Sequence, residues 1–141
     1  MRALIVAAAA CGLLLVVLGA ATGHNSAPPP GGDLEIYVAS WIQEAERQDR
    51  LNTILLFGFV HVLSAIAAAS LPFRSLLATV SGWAFLAGVA MFSGGLTAGM
   101  LLADQGGMAN VLAKFVPVGG LAFMAGWILL MAAVLLKQRE A

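Results

Sequence analysis

"FVPVGGLAFMAGWILLMAAVLL", residues 115–136, decides the fold: 22 residues without an ionisable side chain that still hold Pro117 and three glycines, Gly119, Gly120 and Gly126. In water those glycines would weaken a helix by about 1 kcal/mol each relative to alanine. In a bilayer the backbone has no water to bond, so a helix that satisfies its own amides is what such a stretch must form. At 1.5 Å of rise per residue it extends about 33 Å, enough to cross a hydrocarbon core of about 30 Å. Pro117 falls in the first turn, where its missing amide is unpaired anyway, so it marks a helix start rather than a kink. The glycines then have a use. Lipid tails are as apolar as leucine, so helices associate in a bilayer through close backbone approach at small residues.

Three further stretches have the same character, Ala3–Thr22, Asn52–Leu71 and Leu76–Ala103. With 61% hydrophobic and 10% charged residues in a chain of 141, the composition lies far from that of a soluble domain. The expected fold is an all-α, four-helix integral membrane bundle forming a single domain. Seven basic and seven acidic residues cancel, without the one-sided Lys and Arg cluster that nucleic acid would require. Cys11 is the sole cysteine, so neither an intrachain disulfide nor a thiolate metal site can be assembled. Arg2, the first apolar run and Gly19-Ala20-Ala21 also fit a secretory signal with its cleavage site. A run of nearly 20 residues favours a span.

The long polar segment 24–50 divides in two. Pro28-Pro29-Pro30 followed by Gly31-Gly32 makes 24–32 a linker. From Asp33, a natural N-cap, Leu34, Tyr37, Val38, Trp41, Ile42 and Ala45 fall on one arc opposite Glu35, Gln43, Glu46, Arg47 and Arg50. Residues 33–50 are therefore expected as an interfacial amphipathic helix feeding the second span, with Tyr37 and Trp41 suited to the headgroup region. "SLPFRS" at 70–75 is a tight antiparallel turn, and 104–114 is a longer, flexible connection. Four spans place both termini on one side with Arg2, Arg74, Lys137 and Arg139, against Arg47, Arg50 and Lys114. The positive-inside rule then sets both termini in the cytoplasm, the expected membrane being a bacterial inner (plasma) membrane.

Candidate helix-packing positions are Gly82, Gly88, Gly94, Gly95, Gly99, Gly119, Gly120 and Gly126. Gly95 and Gly99 form a GxxxG pair, and Ala78, Ala84, Ala90 and Ala122 each precede a glycine by four. The third span carries small residues around much of its circumference, as a helix packed on several sides requires. His61 is the ionisable group deepest within a span, a functional hypothesis by default. Against this, a neutral histidine can simply donate to a backbone carbonyl or to Ser64. Ser93 and Thr97 form the polar seam of the third span, and with His61 they make up the possible intramembrane polar site. His24 and His61 could in principle ligate haem iron or another metal, unsupported by any motif. The methionines form no paired soft-metal motif. Serine-nucleophile, Walker and zinc-protease signatures are absent, and no cofactor is implied.

"GWAFLAGVAMFSGGLTAG" at 82–99 and "VPVGGLAFMAGWILL" at 116–130 resemble the domain-of-unknown-function 423 family of small four-span membrane proteins. In that family a W-x-F-x-A-G…F-S-G-S-L run precedes a T-P-I-G-G-L-A-F-L-A-G-W run. "LGAATGH", ending in His24, resembles the end of the family's first span, and Trp41, Ala45 and Arg47 match a family segment without gaps. The family's Tyr-Gln and His then fall on Gln48, Asp49 and Asn52, so His61 does not take the family histidine's place and the chain resembles a divergent member. The resemblance implies a fold rather than an activity. Three functions are weighed: a non-enzymatic packing or assembly subunit of a larger membrane complex, an oligomeric small transporter or channel lined from His61, Ser93 and Thr97, and an intramembrane redox protein. The expected partners are the lipid bilayer and a membrane protein or further copies of the chain.

Overall fold

The computed structural model describes residues 1–23, 33–102 and 107–138. The described residues form five helices: α1 (Arg2–Thr22), α2 (Leu34–Ala69), α3 (Leu76–Leu101), α4 (Gly107–Ala113) and α5 (Val116–Gln138). Four helical segments are long and apolar enough to cross a membrane: α1, α2, α3, and the stretch from Val111 through α5 to Lys137. Local chemistry sets their ends. Asp33 caps α2, its carboxylate accepting from the Glu35 amide at 3.2 Å. Ser75 caps α3, its hydroxyl accepting from the Ala78 amide at 3.5 Å. The Gly23 amide closes α1 by donating to the Gly19 carbonyl at 2.8 Å.

The amphipathic segment is helical, and the structure adds that it runs without a break into the second span. α2 is one helix of 36 residues, about 54 Å long. That exceeds a hydrocarbon core of about 30 Å by roughly 16 residues, close to the length of the amphipathic part. No glycine or proline lies between Asp33 and Phe57, so nothing interrupts the ladder; Thr53 returns its hydroxyl to the Asp49 carbonyl at 3.0 Å. On the apolar arc Leu34, Val38, Trp41 and Ile42 remain exposed, and Tyr37 meets Trp41 edge to face at 6.2 Å.

The expected flexible connection at 104–114 instead contains α4. Amides of Lys114 and Phe115 donate to the carbonyls of Val111 and Leu112, and the Gly119 amide then takes up the Phe115 carbonyl. The chain thus turns within two residues from α4 into α5, and α4 packs on α3.

α3 is the hub of the bundle. It packs chiefly on α5 and α2, and also touches α4 and α1, while α1 lies mainly on α2. Leu4, Ala8, Ile54, Val62, Phe85, Val89 and Phe123 form the buried core. One end of the bundle gathers residues 1–2, 73–77 and 136–137. At the other end Thr22 meets Arg47.

Candidate functional site

Along α3 and α5 glycines and large side chains alternate in opposite registers. A Cβ on Gly88 or Gly126 would strike the ring of Phe123 or Phe85, and one on Gly119 would lie 2.5 Å from the Phe92 amide nitrogen. A Cβ on Gly95 would meet Val116 at 2.8 Å and the Leu112 carbonyl at 3.1 Å. Reading up α3 through Phe85, Gly88, Phe92 and Gly95 therefore reads down α5 through Gly126, Phe123, Gly119 and Val116. The steps of three, four and three residues are the same on both helices, which is how two antiparallel helices keep one face in register. Gly82 receives Leu4 of α1, and Gly58, which the small-residue pairing did not single out, receives Leu15 at 2.7 Å.

Three of the eight expected packing glycines lie elsewhere. Among the described residues nothing comes within 4 Å of a Cβ on Gly94, Gly99 or Gly120. The GxxxG pair is thus split. Residues four apart share a helix face only approximately, and α4 and α5 reach Gly95 without covering Gly99.

Hydroxyls stitch the same helices together. Ser81 of α3 donates to the Gly126 carbonyl of α5 at 2.8 Å, and Ser93 of α3 donates to the Ile54 carbonyl of α2 at 3.1 Å. Both serines are fully buried. Thr97 and Ser64 return their hydroxyls to their own helices, at the Ser93 and Val60 carbonyls.

His61 is buried, at 5% exposure, among aromatic rings. Its ring stacks on Phe123 at 3.6 Å between centroids, and Phe57, Phe85 and Trp127 complete the surround. Nδ1 lies 2.8 Å from the Phe57 carbonyl, and Trp127 Nε1 donates to Nε2 at 3.3 Å. A carbonyl can only accept and an indole N–H can only donate, so the geometry selects the neutral imidazole with its proton on Nδ1. Ser64 is not its partner. Metal ligation through Nε2 would require breaking the Trp127 bond, and no group of three or more His, Cys, Asp or Glu converges among the described residues. His24 lies outside the described residues. The structure does not unite the expected polar site: Ser93 and Thr97 line a groove between α1 and α3, and His61 is not part of its wall.

That groove has a volume of about 570 Å³. α1 and α3 touch where Leu4 covers Gly82. They stand apart beyond it, from Cys11 to Leu18 on α1 and from Val89 to Leu102 on α3. Ala90, Gly94 and Ala98 put small residues along its α3 wall, and both of its hydroxyls are committed to backbone carbonyls.

At the opposite end from Met1 and Lys137, Arg47 joins two helices. Its Nε and Nη2 donate to both Glu44 carboxylate oxygens, and its Nη1 donates to the Thr22 carbonyl at 3.0 Å. A cation at the last carbonyls of α1 complements that helix dipole. The Arg47 hydrogen bond, reinforced by its charge, holds the Glu44 carboxyl below its ordinary range. The helical periodicity had placed Arg47 on a polar face; the family-like Trp41, Ala45, Arg47 match was the one signal that could have singled it out.

These features define a small polytopic α-helical membrane protein with a filled, hydroxyl-stitched interior. A family model described as "Protein of unknown function (DUF423)" matches residues 18–120. The chain belongs to that family. The matched region takes in Arg47, His61 and the glycines of α3, and ends before Phe123, Gly126 and Trp127. Neither curated proteins nor solved structures give a match.

Proposed function

We propose that this protein is a non-enzymatic packing subunit of a larger membrane assembly, whose partner contributes one apolar transmembrane helix to the groove between α1 and α3. The groove itself carries this reading. Its α3 wall from Val89 to Leu102 is about 20 Å long, well over half of a bilayer core. Gly94 at its centre has open space where a side chain would be. Small residues favour close helix approach in lipid, and this face is one that the described helices leave uncovered. The interior chemistry agrees with a packing role: the buried hydroxyls and both His61 nitrogens are spent on internal bonds.

The native particle, extracted in a membrane-solubilising polymer and weighed intact, is expected to be a hetero-complex. Gly94→Leu or Ala98→Leu should then release the partner while the isolated protein keeps its thermal transition. A bare monomer overturns the proposal. A homo-oligomer would move the reading to a transporter or channel, since Ser93 and Thr97 both line the groove.

A further inference from the structure

Two basic residues 72 positions apart line one cleft at the end of the bundle that carries Met1 and Lys137. Arg2, which opens α1, and Arg74, just before α3, line one cleft of about 560 Å³ with Ser75 and Thr79. A smaller cleft of about 280 Å³ shares Arg74 and Ser75 and is bounded by Lys137 of α5. Among the described residues no acidic side chain lines either cleft. Arg2 and Arg74 have no ion pair or hydrogen bond among the described residues, where the salt bridge is Arg47 with Glu44 at the far end. Glu140 lies outside the described residues.

Scattered cations would suffice to orient the chain in a membrane. Convergence on one cleft does more. Two guanidinium groups present planar forks that match phosphate oxygens, and the starts of α1 and α3 add their partial positive charge in the same direction. Leu76 lines both clefts and is 79% exposed, so an apolar surface stands directly beside the cations. Charge and apolar surface in that order, at the membrane boundary, complement a phosphate attached to an acyl chain. Basic pockets between transmembrane helices have this affinity for anionic headgroups.

We propose that Arg2 and Arg74 bind the phosphate of an anionic phospholipid at this face of the membrane. This inference is independent of the helix-docking role proposed above and involves the opposite end of the α1–α3 pair.

The test uses the full chain in a neutral detergent, titrated with equal amounts of phosphatidylglycerol and phosphatidylcholine of identical chains and read by native mass spectrometry. A cation near anionic lipid favours binding by about fivefold, so phosphatidylglycerol adducts are expected to exceed phosphatidylcholine adducts roughly five- to thirtyfold. The double variant Arg2→Gln, Arg74→Gln should abolish the preference, while Arg50→Gln at the other end should leave it intact. Raising salt from about 0.05 to 0.5 M should shrink the preference of the unmodified protein, an arm that does not depend on any variant folding. Equal binding of the two lipids, or a preference that survives the double variant, overturns the proposal. So does displacement of phosphatidylglycerol by millimolar inorganic phosphate, which would make a soluble phosphate the ligand in place of a lipid.

Discussion

Gly119 and Gly120 are adjacent in α5, yet the structure puts them in opposite situations. A methyl group on Gly119 would lie 2.5 Å from the Phe92 nitrogen and 2.9 Å from its Cα, whereas one on Gly120 would meet nothing within 4 Å among the described residues. Neither has a positive φ, so alanine brings no backbone strain at either site. Alanine favours the helix over glycine by up to about 1 kcal/mol, partly by restricting the unfolded chain. Gly120→Ala should therefore stabilise by roughly 0.5–1 kcal/mol. At Gly119 the same gain is opposed by overpacking, which costs about 1–3 kcal/mol and sits at the upper end when the obstacle is backbone that no rotamer change can move. Gly119→Ala should thus lose roughly 1–2 kcal/mol net, a gap of about 2–3 kcal/mol between neighbouring positions. Reversible unfolding in mixed micelles by increasing dodecyl sulfate, followed by circular dichroism, measures both. Equal stabilities, or a Gly119→Ala protein as stable as the unmodified one, would refute the reciprocal glycine–phenylalanine register of α3 and α5.

His61→Ala leaves the Trp127 N–H without its acceptor and opens a cavity against Phe123, and should destabilise by about 2–4 kcal/mol; a double-mutant cycle with Trp127→Phe should isolate a coupling of roughly 0.5–1.5 kcal/mol. Ser81→Ala and Ser93→Ala each remove one interhelical bond and should cost about 0.6–1.7 kcal/mol in the same unfolding assay, unlike Thr97→Ala, whose hydroxyl bonds its own helix. Arg47→Ala frees the end of α1, so amide exchange at Gly19–Gly23 should quicken several-fold with little change at Leu4–Ala8. The Glu44 carboxyl is held low by Arg47, so the stability from that pair is present above the ordinary carboxylate range and fades as pH falls through the depressed value. Protection of the Gly19–Gly23 amides, relative to intrinsic exchange at the same pH, should fall with it, though less than in Arg47→Ala, because the Thr22 carbonyl does not titrate.

Spans were legible because their signal is cumulative: some twenty apolar residues in a row need no knowledge of a neighbour. Sequence spacing does not separate the glycines that face a neighbouring helix, such as Gly88, Gly119 and Gly126, from Gly94, Gly99 and Gly120. Gly95 and Gly99 look alike in sequence, and what separates them is α4, a seven-residue helix with too few residues and too little periodicity to be seen within 104–114. His61 was legible as a buried histidine, whereas its partner was not, since Trp127 lies 66 residues away and nothing local specifies that α5 brings it across. The continuity of α2 follows in retrospect from the absence of any breaker between Asp33 and Phe57. The change from amphipathic to wholly apolar composition near residue 51 had suggested two elements; helices respond to breakers, and composition changes what surrounds them rather than whether they continue.

The unbroken length of α2 has a mechanical meaning. A rod of about 54 Å anchored at Ala69 converts a tilt of about 10° into a displacement of roughly 9 Å at Leu34. The level of Ile54, where Ser93 bonds to it, would move less than half as far. A load on Tyr37 or Trp41 is thus delivered with leverage to the Ser93 bond, while the Arg47 link forces the end of α1 to travel with it. A tilt of α2 about Ala69 would therefore change the helix spacing near Ile54 as well as at the outer end.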